Sequence, residues 1–260
     1  PWPIAAAIGV VAAIVVGVVL GLPALRIRGV QLAVVTVAAA ISLQTLYFEN
    51  SRLTDLTSGS PANVRPATFL GVSLASMSPR GRLDSPAFAI FCFVVLAACA
   101  VMVANLRRNG TGRRFLAVRA NERAAAAAGI NVARTKLLAF AIAAAIAGIG
   151  GVMLGFKQND VAPAGFVYQA SLAYLAFAYL GGITSINGAI VGGLLAPAGV
   201  LAVTGSYFLS GTDFDRYLVV IGGAGMIVTA IANPSGIAVS LQPTMRKLGS
   251  RLQRPLQRRP

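Results

Sequence analysis

Long apolar runs dominate the sequence, and their length constrains the fold more than any other feature. They lie at about 3–23, 30–48, 86–106, 136–156, 168–183, 187–205 and 217–233. Most are about 17–21 residues long, enough for a helix to cross a hydrocarbon core. The runs are almost free of charge, and a backbone in lipid has to satisfy its own hydrogen bonds. The sequence therefore predicts an all-α integral membrane protein, a polytopic bundle of about seven transmembrane helices.

The composition excludes an ordinary soluble domain. Charged residues make up 11% of the chain and hydrophobic residues 57%, whereas soluble domains carry about 25% charged residues. The first run lacks the basic segment that precedes the apolar core of a secretory signal. We therefore interpret this run as a true span, and we expect further residues before Pro1 in the natural protein.

Basic residues concentrate on one side of the predicted membrane. That side comprises 24–29, 107–136 and 234–260, with sixteen basic residues and one acid, Glu122. The other side has six basic and six acidic residues. By the positive-inside rule, the basic side is cytoplasmic. Topology then accounts for the net charge of +15, which no longer indicates nucleic-acid binding.

Two loops and a tail complete the predicted organisation. The outer loop 49–85 is rich in Ser, Pro, Thr and Gly, and the cytoplasmic loop 107–135 has helical character. Residues 1–241 are predicted to form one transmembrane domain without strands. The basic tail 242–260 is predicted to be disordered, cytoplasmic and attracted to anionic lipid headgroups.

Pairs of glycines four residues apart recur in three of the runs. They are Gly17–Gly21, Gly151–Gly155 and Gly188–Gly192. This spacing allows two helices to approach closely, so we predict helix packing at these positions.

The cytoplasmic loop contains a short predicted helix with clear start and stop signals. Asn121 is suited to capping the helix start, and the charge of Glu122 suits the positive end of the helix dipole. The run Ala124–Ala128 has strong helix propensity, and Gly129 is placed to end the helix in a left-handed conformation. Two interpretations follow: a helix that fits a groove on a partner, or a solvated connection that anchors its neighbours.

This loop also resembles a known motif. The pattern Glu122-x-Ala124-Ala125-x-x-x-Gly129 is similar to the Glu-Ala-Ala loop of ATP-binding-cassette importer permeases. The wider stretch 117–136 looks like the version in the branched-chain amino acid permease family, of the LivM type. In that family the loop is the cytoplasmic coupling helix, which docks on the ATPase subunit. The resemblance implies an ATPase-coupling role for Asn121, Glu122, Ala124, Ala125, Gly129 and Ile130.

Other segments resemble the same family in the expected order along the chain. They are Gly21–Gly29, Leu53–Ser60, Tyr179–Gly192 and Asn233–Ile237. The third contains a double glycine similar to the family's helix break. This chain departs from the pattern there, with Thr184 where the family usually has glycine and Ala189 where it often has proline.

The double glycine also has a physical interpretation. Gly181 and Gly182 can break a helix at little cost, and transporters often place such breaks at binding or gating sites. A tight turn between two spans is the alternative. The run 168–205 is either two complete crossings or a broken, re-entrant pair. Gln44, an amide in the second apolar run, either lines a translocation path or packs against another helix. The predicted path residues are Gln44, Gly181, Gly182, Thr184, Asn187 and Gly188.

The resemblance implies the permease subunit of an importer, a multi-pass protein of the bacterial inner membrane. ATP would be used by other subunits, and the sequence agrees because none of its three lysines follows a glycine, as a phosphate-binding loop requires. The implied partners are a LivH-like second permease subunit, two ATP-binding subunits, an extracytoplasmic solute-binding protein and membrane lipid. The implied solute is a branched-chain amino acid or a related small polar molecule. The chain itself is expected to hold no cofactor or metal and to catalyse no reaction.

Other classes of function are less consistent with the sequence. A self-powered secondary transporter usually needs acids or histidines within its spans, and the chain has no histidine. A membrane-embedded enzyme would need a base, a metal cluster or a Gly-x-Ser-x-Gly nucleophile, and the sequence has no such motif. A structural membrane subunit would have much the same sequence features and stays open.

Overall fold

The described part of the chain is mainly helical. The computed structural model describes residues 2–27, 30–48, 62–63, 68–69, 72–73, 86–158, 160–161, 167–182, 184–196, 199, 224, 227 and 231. The α-helices are α1 (Trp2–Gly21), α2 (Val30–Leu43), α3 (Pro86–Arg108), α4 (Gly110–Ala120), α5 (Glu122–Ala127), α6 (Val132–Gln158), α7 (Tyr168–Gly181) and α8 (Ile186–Leu195). A 3-10 helix follows α1 at Pro23–Leu25, and a π-helix continues α2 at Gln44–Phe48.

Three helices in the described part of the chain are long and apolar enough to cross a membrane. They comprise Pro3–Gly21, Phe88–Arg108 and Val132–Lys157. These helices confirm the predicted helical runs at 3–23, 86–106 and 136–156. Helix α6 has 27 residues and is about 40 Å long, so it is longer than a hydrocarbon core of about 30 Å.

The remaining predicted spans are described in part. The run 30–48 is helical through α2 and the π-helix, with a shorter apolar helix over Gln31–Leu46. Helices α7 and α8 occupy most of 168–183 and the first part of 187–205. The run 217–233 lies outside the described residues, apart from three single positions. The count of seven spans stays a prediction.

Helices α1 and α6 pack closely along one row of residues on each helix. The rows meet at every fourth residue, and the facing pairs are Gly21 with Phe140, Gly17 with Ala144, Ala13 with Gly148 and Gly9 with Val152. The helices are therefore antiparallel, and a small residue in each pair brings the backbones together. This confirms the packing predicted for Gly17–Gly21. Gly151 lies off the row, and a Cβ there would meet no atom of the described residues within 4 Å.

Aromatic side chains join α3 to α6. Phe156 of α6 is only 8% exposed and packs against Phe88 and Phe91 of α3, and against Val152 and Met153 of its own helix. Many other large apolar side chains of α1, α3 and α6 are exposed on the surface of the chain. Lipid tails are as apolar as these side chains, so such surfaces suit a membrane or other apolar helices.

Short strands connect segments on the predicted outer side. The strands are β1 (Ala62–Asn63), β2 (Thr68–Phe69), β3 (Val72–Ser73) and β4 (Asp160–Val161). Strand β1 pairs antiparallel with β4, and β2 pairs antiparallel with β3. The expectation of a chain without strands is wrong in this detail. Strands of two residues are too short to show an alternating pattern, so no sequence signal predicts them.

The chain divides into two compact units, Pro1–Phe166 and Val167–Pro260. The first unit contains α1 to α6, and the second contains α7 and α8. The prediction that 1–241 form a single transmembrane domain followed by the tail 242–260 stays a prediction.

Candidate functional site

The loop 107–135 begins with a sharp turn at the end of α3. Gly112, near the start of α4, is buried. A Cβ at this position would collide with the backbone oxygen of Leu106 and stand 2.7 Å from the Cα of Arg107. Glycine therefore allows α4 to fold back directly against the last turn of α3.

Helix α5 begins at a side-chain cap, as predicted. The Oδ1 atom of Asn121 accepts hydrogen bonds from the backbone N–H groups of Arg123 at 2.9 Å and Ala124 at 3.1 Å. These are two of the N–H groups that a helix start leaves without a partner inside the helix. The cap is therefore confirmed, and it fixes the first turn of a helix of only six residues.

Helix α5 ends at a left-handed glycine, also as predicted. Gly129 has a φ of +80°. Its N–H donates to the carbonyl oxygen of Ala126 at 3.0 Å, and the N–H of Ile130 donates to that of Ala125 at 3.0 Å. This pair of bonds is the Schellman motif, which satisfies the free carbonyl groups at a helix end.

A second asparagine, which was not singled out from the sequence, caps the start of α6. The Oδ1 atom of Asn131 accepts a hydrogen bond from the N–H of Arg134 at 3.0 Å. The hydroxyl of Thr135 donates to the carbonyl oxygen of Asn131 at 2.8 Å, and this threonine is buried. The available signal was an asparagine directly before a helical run, the same signal that identified Asn121.

An ion pair joins α5 to α6 and was also missed. The Nζ atom of Lys136 lies 2.9 Å from the Oε1 atom of Glu122, and the two side chains are 16% and 22% exposed. From the sequence, Glu122 was assigned to the helix start and to the coupling motif, and Lys136 was counted among the basic residues of the loop, without a contact between them. No local pattern predicts this contact, because the two residues are too far apart in sequence to share a helix turn.

The surface of α5 consists mainly of small side chains. Asn121, Arg123, Ala124 and the segment 126–129 are exposed, and Ile130 is half-buried. Ala125, another predicted coupling residue, is only 4% exposed. Its side chain is therefore turned into the chain. A partner surface could approach the backbone of α5 closely, because methyl groups cover most of its exposed side.

A cavity of about 270 Å³ lies beside the ion pair. Its walls come from α4, α5 and α6, and its lining residues are Phe115, Val118, Arg119, Glu122, Thr135, Lys136 and Ala139. The ion pair therefore stands between three helices, with both apolar and charged groups around it.

The double glycine ends α7, as predicted. Gly182 directly follows the helix with a φ of +112°, a conformation that favours glycine. Its N–H donates to the carbonyl oxygens of Ala178 and Tyr179, both at 3.1 Å. The hydroxyl of Ser185 then caps α8 by accepting a hydrogen bond from the N–H of Gly188 at 2.9 Å.

Helices α7 and α8 form a tight antiparallel hairpin. A Cβ at Gly181 would collide with the backbone oxygen of Gly188, and one at Gly192 would stand 2.7 Å from the backbone oxygen of Phe177. The packing predicted for Gly188–Gly192 is confirmed. Helix α7 has 14 residues and is about 21 Å long, shorter than a hydrocarbon core of about 30 Å. Its length favours the re-entrant interpretation.

Five of the six predicted path residues lie in this hairpin. Gly181, Gly182 and Gly188 are buried, whereas Thr184 and Asn187 are exposed. The sixth, Gln44, begins the π-helix after α2 and belongs to the other unit of the chain. The role of these residues in a path stays a prediction.

Comparison with known proteins decides the family. A family model of branched-chain amino acid transport system permease components matches residues 1–230. The chain belongs to this permease family. The family resemblance inferred from the loop 107–135 is therefore confirmed. Together with three apolar helices of spanning length, the family makes the chain a multi-pass membrane protein.

The matching relatives are named as transport permeases rather than enzymes. LivM of Salmonella typhimurium, a high-affinity branched-chain amino acid transport system permease protein, is 29% identical over 245 residues, covering 88% of this chain and 56% of LivM. LivM of Escherichia coli K12 matches equally. LivH of Salmonella typhimurium is 31% identical over 183 residues, covering 70% of this chain and 57% of LivH. The chain thus spans a little over half the length of these relatives. No solved structure matches it.

Proposed function

We propose that this chain is the membrane-spanning permease subunit of an ATP-binding-cassette importer. It would carry branched-chain amino acids or a related small polar solute across the bacterial inner membrane. The observation that carries the proposal is the family match over residues 1–230. ATP would be bound and hydrolysed by separate subunits, and this chain would hold no cofactor of its own.

Helix α5 is the proposed coupling helix. It lies between α3 and α6, two helices of spanning length, so a force on it would reach the membrane. It is capped at both ends and exposes a surface of mainly small side chains, formed by Ala124 and 126–129, beside the long side chain of Arg123. These features support docking in a groove of an ATPase more than a solvated connection, because close approach needs small side chains.

The proposed orientation and partners follow from charge and from the relatives. The loop 107–135 and the C-terminus would be cytoplasmic, because sixteen basic residues lie on that side. The chain is similar to both LivM and LivH, which supports a LivH-like second permease subunit as its partner. Two ATP-binding subunits and an extracytoplasmic solute-binding protein would complete the importer, and the basic tail 242–260 would contact anionic lipid.

The hairpin of α7 and α8 is the proposed gate of the translocation path. Non-helical backbone at membrane depth is tolerated only inside protein or beside a water-filled cavity. The break at Gly181 and Gly182 therefore favours a position within the assembled importer, with Thr184 and Asn187 offering side-chain hydrogen bonds. Gln44 is proposed as a further path residue from the first unit.

Co-purification tests the proposed function. The tagged full-length protein would be expressed with its operon partners, and recovery of an ATPase subunit would be measured. Ala126→Trp places a bulky ring on the exposed side of α5 and should abolish recovery. Leu116→Trp is the matched control, because it places the same ring on α4 at a side chain that is already 61% exposed.

Two results would overturn the proposal. One is that the wild-type chain recovers no ATPase, and the other is that Ala126→Trp recovers as much as the control. A self-powered transporter or a structural subunit would then explain the chain better. If coupling holds, uptake of labelled leucine in proteoliposomes, in competition with isoleucine, valine, acetamide and urea, would identify the class of solute.

A further inference from the structure

Helix α5 needs an anchor beyond its own hydrogen bonds. It has six residues, and isolated helices shorter than about 12 residues are marginal in water. Four of the six are alanines, and the two long side chains belong to Glu122 and Arg123. Arg123 is exposed. Glu122 is therefore the long side chain of α5 that reaches a neighbouring helix.

Glu122 reaches α6 rather than the cytoplasm. Its carboxylate lies 2.9 Å from the ammonium of Lys136, and only 22% of the side chain is exposed. Phe115, Val118 and the cation Arg119 of α4 line the cavity beside the pair, and the low exposure of the two paired side chains shows that water is partly excluded from them. An ion pair is stronger where water is partly excluded.

The pair connects α5 to the largest helix contact in the described part of the first unit. Lys136 lies in the second turn of α6, and the row that begins at Phe140 on the same helix packs on α1. Close-packed helices move as a unit because their interface is not continuously deformable. A displacement of α5 transmitted through Lys136 would therefore move α6 and α1 together.

We propose that Glu122 is a positioning residue, which transmits movement of α5 to the membrane helices through Lys136. The inference rests on the proposed docking of α5 on an ATPase. It assigns docking to the exposed surface of α5 and transmission to the Glu122–Lys136 pair. Loss of the pair would then leave ATPase binding intact while transport no longer follows ATP hydrolysis.

The test uses the complete importer in proteoliposomes. Two quantities are measured for each variant: the amount of ATPase recovered with the chain, and the solute transported per ATP hydrolysed. Glu122→Gln preserves the shape of the side chain and removes its charge, and Lys136→Met breaks the same pair from the other helix. Arg134→Gln is the control, because it removes an exposed cation from the first turn of α6.

The expected result separates binding from transmission. Glu122→Gln and Lys136→Met should recover as much ATPase as wild type, and transport per ATP should fall about fivefold, the factor for a pair worth about 1 kcal/mol. Arg134→Gln should behave as wild type. The exchanged pair, Glu122→Lys with Lys136→Glu, should restore much of the coupling. Restoration would be partial, because a cation at a helix start is unfavourable.

Other results would overturn the inference. If Glu122→Gln transports as well per ATP as wild type, or if the exchanged pair is no better than the single variants, the pair transmits nothing. If Glu122→Gln loses the ATPase while Lys136→Met retains it, Glu122 is itself a docking residue. Absence of ATPase with the wild-type chain would instead refute the proposed function.

Discussion

Replacing Gly129 by alanine would test whether its left-handed conformation holds α5 closed. The φ of this residue is +80°, and a Cβ added here would meet no described atom within 4 Å. The cost of the substitution therefore comes from the backbone conformation and not from a collision. For a residue with a Cβ, the left-handed conformation costs about 1–2 kcal/mol.

This cost would appear as more frequent opening of the helix end. A free-energy change of about 1–2 kcal/mol alters the ratio of open to closed states about 5- to 30-fold. The bonds affected are those from the N–H groups of Gly129 and Ile130 to the carbonyls of Ala126 and Ala125. Hydrogen exchange followed by mass spectrometry on the purified chain should show these amides exchanging faster by that factor.

Two further variants make the test specific. Gly129→Asn should accelerate exchange less than Gly129→Ala, because asparagine tolerates the left-handed conformation better. Gly150→Ala adds the same methyl group inside α6, where it meets no described atom within 4 Å, and should leave exchange in the loop unchanged. The reasoning fails if Gly129→Ala is as protected as wild type, or if asparagine is as disruptive as alanine.

Two pairs of substitutions test the helix contacts. Gly148→Leu should lower the Tm in detergent, because its Cβ would stand 2.8 Å from that of Ala13. Gly151→Leu, on the same helix, should not lower the Tm, because a Cβ there meets no other described residue within 4 Å. The expected cost is about 1–3 kcal/mol, or about 2–4 °C for each kcal/mol. Gly192→Ala should destabilise the α7–α8 hairpin by a similar amount, because its Cβ would stand 2.7 Å from a backbone oxygen. Gly193→Ala should not destabilise the hairpin, because its Cβ would meet no described atom within 4 Å. Equal melting temperatures within either pair would contradict the packing described above.

Local features of the site could be predicted because their causes lie within a few residues. Asn121 caps α5 through bonds to N–H groups two and three residues later. Gly129 ends the same helix because its neighbours supply both bonds of the motif. The break after Gly181 likewise follows from glycine's own conformational freedom. Asn131 obeys the same rule, because its side chain accepts a bond from the N–H group three residues later.

The sequence by itself determined the apolar helices, the charge asymmetry of the loops and the family, because hydrophobic length and short motifs act locally. Only the tertiary structure decided which residues meet across helices. The Glu122–Lys136 pair, the row of α1 against α6 and the pairing of β1 with β4 each depend on how distant segments approach one another. Helices that are apolar on all sides have no preferred face, so their sequence does not specify which side meets a neighbour.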